Sequence, residues 1–251
     1  PALYIINLYE NLRGKLIMKI SELFDLSHTA AARYLEMYKY PWQALDGIGR
    51  LIPELASAGG LLQIADGVWA AKSAHIAATA FISAPCIIGE YSEIRHCAYI
   101  RGNAVIGNEC VVGNSTEVKN SILFDCVQIP HYNYVGDSVL GYKVHLGAGA
   151  VTSNVKCDKT EVTVASPGGR IGTGRRKFGA AVGDGSEIGC GSVLCPGAVI
   201  GRNCTVYPLS LVRGYIPDDC IFKSADDIAA KRQFGQGGAY KEPNRGGDID
   251  I

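Results

Sequence analysis

The chain is expected to fold as an all-β parallel β-helix, and three observations carry that expectation. A branched aliphatic residue recurs at every sixth position: Ile76, Ile82, Ile88, Ile94, Ile100, Ile106, Val112 and Val118, then in phase again at Val182, Ile188, Leu194, Ile200, Val206 and Val212. That period fits no α-helix, no alternating strand and no heptad; it is the period of hexapeptide repeats. The residue two places earlier is small: Ala80, Cys86, Ser92, Ala98, Ala104, Cys110 and Thr116 in the first run, and Ala180, Ser186, Ser192, Ala198, Cys204 and Ser210 in the second. Glycine follows the aliphatic at Gly89, Gly107, Gly113, Gly183, Gly189 and Gly201, where a tight corner favours a residue without Cβ. Three hexads close a triangular coil of about 18 residues, so side chains one coil apart stack in ladders. A β-sandwich would instead show alternation and irregular turns.

Residues 1–65 form an extension and a helical segment. Met18 is a candidate start, and the N-terminal PALYIINLYENLRG has neither a basic lead nor a clear cleavage site, so it does not read as a secretory signal. Residues 16–58 look helical: Ser27 is placed to cap a run from His28, and Leu35, Tyr38 and Leu45 form apolar faces broken at Pro41. Residues 66–222 form the β-helix. Its register slips by one between Val118 and Leu123, resumes at Ile129 and Val135, and slips again before Leu140 and Leu146. A slip distorts a corner, and irregular backbone on a rigid scaffold is a common seat of function. Between Asn154 and Gly179 the period vanishes. There EVTVASPGGRIGTGRRKF reads as a hairpin projecting from the coils, an insertion over about 155–178. Its basic end, Arg170, Arg175, Arg176 and Lys177, is either a solvated loop or an anion-binding arm. In 223–251, Ser224 is placed to cap a short helix from Ala225 to Gln233, before a Gly-rich polar tail.

The composition is 47% hydrophobic, with 24 basic and 24 acidic residues. Zero net charge supplies no global field for nucleic acid or an anionic membrane, and no apolar run is long enough to span a bilayer. Nine cysteines occur without C-x-x-C spacing, three of them (Cys86, Cys110, Cys204) at the small position of the repeat. They read as reduced thiols of a cytoplasmic protein, with neither a disulfide framework nor a zinc site.

Candidate chemistry gathers where the repeat is irregular. Arg101 and Lys119 lie one coil apart on a ladder, either as two solvated cations or as a pair bridged by an anion such as phosphate. His131 follows Pro130 in the slipped region, and a neutral imidazole suits proton abstraction from an amine. Tyr134 and Asn154 are hydrogen-bonding candidates for a sugar. The run Leu146-Gly147-Ala148-Gly149-Ala150 brings thin backbone to a coil, for a flat ligand, a neighbouring subunit or simple corner packing.

The stretch HYNYVGDSVLGYKVHLGAGAVTSN, His131 to Asn154, resembles the acetyltransferase domain of the bifunctional UDP-N-acetylglucosamine pyrophosphorylase/glucosamine-1-phosphate N-acetyltransferases. The resemblance runs upstream through Lys119 and Arg101-Gly102 and downstream to about Val212. FDLSHTAAARYLEMYKYPWQAL resembles the helical linker of related sugar nucleotidyltransferase–acyltransferases. The resemblance to the acetyltransferase domain implies a left-handed β-helix, a homotrimer with sites shared between chains, acetyl-coenzyme A as co-substrate and an amino-sugar phosphate as acceptor, and the sequence itself requires no metal. By position, His131 becomes the catalytic base, and Arg101, Lys119, Tyr134 and Asn154 the sugar-phosphate ligands, with His145 beside them. Ala148 and Cys190 fall on the cofactor seam, joined by Arg175 and Arg176 as cofactor-binding candidates. The chain departs from the family at His145 (an Asn in the family), at Val155-Lys156-Cys157 (Tyr-Asp-Gly) and at Cys190 (a serine). No Gly-rich nucleotide loop accompanies these motifs, so no pyrophosphorylase activity is expected. Two other functions fit the same residues: a non-catalytic sugar-phosphate or nucleotide-sugar binding protein, and an O-acetyltransferase.

Overall fold

A computed structural model describes residues 18–166 and 169–231; the extension before Met18 and the Gly-rich tail lie outside the described residues. The chain winds as a parallel β-solenoid with three faces. The first face stacks parallel strands from Val68–Ala71 to Tyr215–Ile216, the second from His75–Ile76 to Cys220–Ser224, and the third from Phe81–Ile82 to Leu211–Val212. The aliphatic of each hexad points inward. On the first face Ile88, Ile106, Leu123, Leu140, Val182, Ile200 and Ile216 pair rung upon rung, and all are buried. Each such side chain stabilises the coil by about 1.5–3 kcal/mol relative to exposure. The small position is small because backbone crowds it, and its hydroxyls are not idle. The Ser92 hydroxyl donates to the Gly107 carbonyl at 2.7 Å and accepts from the Cys110 amide at 2.9 Å. Ser186 repeats this between Gly201 and Cys204.

The register slips are absorbed without breaking a ladder. Cys86 pairs with Ala104, one full coil on, whereas Ala104 pairs with Ser121 and Ile122 with Val139, each one residue short. The missing residue is always taken from the edge where the third face turns into the first. There Lys119-Asn120 leads into Ser121–Leu123 and Gly136-Asp137 leads toward Val139–Leu140, with Asn120 and Asp137 both in the left-handed region (φ 47° and 48°). The insertion leaves the coils at this same edge, since Val151–Thr152 ends the third face before it and Ala180–Val182 opens the first face after it. A single edge thus carries the irregular backbone.

The first face is apolar on both sides. Its strands read Cys86-Ile87-Ile88, Ala104-Val105-Ile106 and Ala198-Val199-Ile200, and the middle residue points outward yet is buried. The N-terminal segment covers it, with Trp42, Leu45, Ile48 and Ile52 packed against Ile87, Val105, Ile122 and Val139. This segment is a string of short turns rather than continuous helix: helices Ile20–Leu23, Ala32–Leu35 and Ile48–Ser57, and 3-10 turns Leu26–His28 and Pro41–Gly47. Ser27 does not act as the cap. Asp25 takes that role by accepting from the Ser27 amide and hydroxyl, at 3.0 and 2.7 Å.

Two further expectations need correction. The inserted hairpin forms as read, with Thr163–Ser166 antiparallel to Gly169–Gly172, but it does not project. Val162 and Val164 are fully buried in the cluster that holds Trp42 and Phe178, because two outward valines at one strand's spacing find an apolar surface already present. Among the described residues the expected helix after Ser224 does not form. Asp227–Ala230 folds back as a strand on Cys220–Ser224, and Ile228 packs beside Phe222. The last rung of a solenoid exposes unpaired backbone, and a hairpin strand satisfies it where a helix would not.

Candidate functional site

The site residues fall on the two edges that bound the third face. On the edge joining second to third face, His131 closes the strand Gln128–His131 and is exposed. Its imidazole makes no hydrogen bond or ion pair among the described residues. Its backbone is held firmly: the His131 amide donates to Asn133 Oδ1 at 3.0 Å and its carbonyl accepts from the Gly149 amide at 2.9 Å. Asn133 is 2% exposed, and its side-chain amide donates to the Gly147 and Ala150 carbonyls at 2.8 and 3.0 Å. The corner that presents His131 is thereby pinned to the next coil, the one bearing Ala148. Below it the Gly191 amide donates to the Ala148 carbonyl and the Leu209 amide to the Cys190 carbonyl, both at 2.8 Å. His131, Ala148 and Cys190 therefore descend one edge in successive coils, all exposed. Gly147 permits this stacking, since a Cβ there would sit 2.7 Å from the Cys190 nitrogen.

The opposite edge holds a polar cluster around Asp137, whose side chain is 3% exposed. Lys119 Nζ lies 3.2 Å from Asp137 Oδ2, the Asn154 amide donates to the same oxygen at 2.6 Å, and the Asn120 amide donates to Oδ1 at 2.8 Å. The Asn154 amide also lies 3.1 Å from the Tyr134 hydroxyl, which accepts from it. Tyr134 opens the short strand Tyr134–Gly136 and is half-buried; burial raises its phenol above the ordinary range, and the negative charges of Asp137 and Glu117 add to that. Arg101 lies one coil above Lys119, as its spacing required, but each cation has its own carboxylate: Arg101 NH1 meets Glu117 Oε1 at 2.7 Å. The hydrogen bond it donates to Glu117, with the carboxylate's charge, holds the guanidinium above its usual value.

Lys119, Tyr134 and Asn154 are thus brought into contact, Arg101 joins their face, and His131 stands across it. Three expected residues lie elsewhere. His145 points from the second face, its Nδ1 2.7 Å from Glu187 Oε2. Arg175 is turned onto Asp46 of the N-terminal segment, and Arg176 is exposed on the hairpin. Asp137, Glu117, Asn120 and Asn133 escaped the sequence reading as site residues. The signal that could have found Asp137 is its place between Val135 and Leu140, at the second register slip.

These features define a hexapeptide-repeat solenoid with an exposed histidine on one edge of its third face and a polar cluster on the other. Its homologues are bifunctional nucleotidyltransferase/acetyltransferases. The chain is 40% identical over 94 residues to the bifunctional sugar-1-phosphate nucleotidylyltransferase/acetyltransferase of Sulfurisphaera tokodaii, covering 38% of this chain and 23% of that protein. It is 32% identical over 115 residues to the bifunctional protein GlmU of Methanococcus vannielii, covering 46% and 28% respectively. The chain therefore spans about a quarter of the length of these relatives. Residues 82–167 match the family model of the GMPPB C-terminal domain. Among solved structures, a perosamine N-acetyltransferase from Caulobacter crescentus in complex with CoA and GDP-perosamine is 16% identical over 73% of this chain and 63% of that one, with a TM-score of 0.32. The architecture rests on the chain's own strand register rather than on that superposition.

Proposed function

We propose that the protein is an acetyl-coenzyme A-dependent N-acetyltransferase acting on an amino-sugar phosphate, as a homotrimer of left-handed β-helices in the cytoplasm. The observation that carries this reading is the layout of the third face. An unpartnered imidazole stands on one edge, a cluster of cations and amides on the other, and the Tyr134 ring lies between. A sugar lying across the face meets Tyr134 and Asn154 through its hydroxyls, places its amine toward His131 and its phosphate toward Arg101. The Arg101–Glu117 pair is exposed and costs little to open, so phosphate replaces Glu117 there, while Lys119 stays on the buried Asp137.

His131 then accepts a proton from the neutral sugar amine as its nitrogen attacks the thioester carbonyl. The C–N bond forms, the oxyanion is held by backbone N–H donors of the Ala148 edge, and the C–S bond breaks to release coenzyme A thiol, which takes the proton back from His131. Homology to acetyltransferase-bearing proteins supports the class of reaction. Exposed Phe81, Tyr99 and Leu211 on the third face support burial of that face between copies.

The test is release of free thiol from acetyl-coenzyme A by the purified protein with glucosamine 1-phosphate, with and without His131→Ala. Loss of about 10²–10⁴-fold in kcat is expected of a general base. Thiol release that is absent from the wild type across amino-sugar phosphates, or undiminished in the variant, overturns the reading.

A further inference from the structure

In the coil that leads to Arg101, the corner between the second and third faces carries a thiol paired with an imidazole. Cys97 Sγ lies 3.2 Å from His96 Nε2, and His96 Nδ1 lies 2.7 Å from Thr79 Oγ1, one coil above. The Thr79 oxygen also accepts from the Cys97 amide at 3.3 Å, so one hydroxyl holds both members of the pair. From the next coil the Asn114 side-chain amide donates to the His96 carbonyl at 3.0 Å. Nucleophile, base and orienting group thus stand within hydrogen-bond reach of one another, and all three are exposed. Cys157 and Cys190 are exposed as well, and neither has such a partner among the described residues.

With the thiol proton moved to Nε2, every polar atom of this row is matched. Nε2–H donates to the sulfur, Nδ1–H donates to Thr79 Oγ1, and the second lone pair of that oxygen takes the Cys97 amide. The surrounding backbone decides which electrophile such a thiolate suits. Attack on a carbonyl builds an oxyanion that needs N–H donors. Here the amides of Cys97, Ala98 and Tyr99 are committed to Thr79 Oγ1 and to the Arg95 and Thr116 carbonyls, at 3.3, 3.1 and 2.9 Å. Attack on a disulfide sulfur builds no oxyanion; it requires an accessible thiolate and a leaving thiol. His96 holds the proton that the leaving sulfur takes. The same imidazole lines a shallow concavity of about 380 Å³ with His75, Glu93 and Arg95. The Arg95–Glu93 pair, 2.8 Å apart and exposed, opens readily to charged groups, and the volume falls in the range of small-molecule sites. Groups of both signs around such an opening suit a small zwitterionic peptide.

We propose that Cys97 is a thiol–disulfide exchange site for a small peptide disulfide of the glutathione disulfide type, with His96 taking and returning the proton and Thr79 as the positioning residue. The Cys97 thiolate attacks one sulfur of the disulfide. A new S–S bond forms, the old one breaks, and the departing thiolate takes the proton from His96 Nε2. The Cys97 sulfur is oxidised and the departing sulfur reduced, so the disulfide is itself the oxidant. The site stands apart from the transferase reading and is tested without it.

The full chain, reduced and then mixed with glutathione disulfide at pH 7, is followed by site-resolved mass spectrometry. Cys97 is expected to gain the glutathionyl group about tenfold or more faster than Cys157 and Cys190, and to lose it with dithiothreitol. His96→Gln and Thr79→Val are each expected to slow Cys97 about tenfold without changing the other two, and Thr79→Ser to restore the rate. Cys157 and Cys190 serve as references within each molecule, and a misfolded variant shows itself by labelling of buried Cys86 and Cys110. The proposal is overturned if Cys97 reacts no faster than Cys157 and Cys190, or if His96→Gln reacts as fast as the wild type. Acylation of Cys97 by acetyl-coenzyme A that outruns its reaction with the disulfide overturns it equally.

Discussion

A carboxylate as buried as that of Asp137 survives only with donors around it, and Lys119, Asn120 and Asn154 supply them. Asp137→Ala strands these donors and is expected to destabilise the fold by about 1–3 kcal/mol in urea unfolding, and to raise the KM for the sugar phosphate. Asp137→Asn, which keeps one acceptor oxygen, is expected to be milder on both readouts. The cysteines behave by position. Burial pushes the Cys86, Cys110 and Cys204 thiols up to about 12, from a usual value near 9. Because the folded values are raised, unfolding releases protons above about pH 9. Stability is full below that pH and is expected to fall as pH rises from 9 toward 12, a trend that denaturant titrations across the range would reveal. At pH 8 a thiol reagent should label exposed Cys97, Cys157 and Cys190 in the native protein, and leave Cys86, Cys110 and Cys204 untouched until unfolding.

At the scale of elements, the N-terminal segment and the inserted hairpin are parts of one covering layer. Trp42 joins them through Phe178, with ring centroids 5.6 Å apart, and Arg175 of the hairpin joins them through its ion pair with Asp46. Trp42→Ala is therefore expected to cost about 3–5 kcal/mol by chemical denaturation, and to loosen the hairpin beside Asn154, raising its amide hydrogen exchange. Gly147→Val, with its Cβ against the Cys190 nitrogen, is expected to cost about 1–3 kcal/mol and weaken coenzyme A binding at the Ala148 edge. The hairpin was legible in the Pro-Gly-Gly turn, but its docking was not, because the surface it meets is built from residues distant in sequence. The misread C-terminal helix has a similar cause. Local capping signals at Ser224 pointed one way, and an open solenoid rung pointed the other and won.

For the whole molecule, the three faces divide the work. The first is covered by the chain's own helices, and the second is polar, with Glu93, Gln128, His145 and Glu187 outward. The third keeps Phe81 64%, Tyr99 42% and Leu211 54% exposed, with Leu209 at 86% on its edge. Such a row on a rigid surface favours self-association, and a closed ring satisfies it with one repeated contact. Sedimentation is expected to give three times the chain mass. Phe81→Glu with Leu211→Glu is expected to give monomers without transferase activity; a wild-type monomer that turns over would remove the shared-site part of the proposal.

The period of six determined the coils, their inward ladders and their small crowded positions, because those depend on residues at fixed separation along one chain. The stretch from His131 to Asn154 likewise supplied the resemblance and most of the polar cluster. Which edge each irregularity falls on was settled by the tertiary winding. Only there do the shortened corners at Asn120 and Asp137 and the exit of the hairpin come to lie along one line, opposite His131. The same winding sets His145 on the second face beside Glu187 and Arg175 against Asp46, both away from the third-face cluster. A triangular coil turns sequence spacing into direction, so a single skipped residue changes which neighbour a side chain meets, and that is a property of the closed coil rather than of any segment within it.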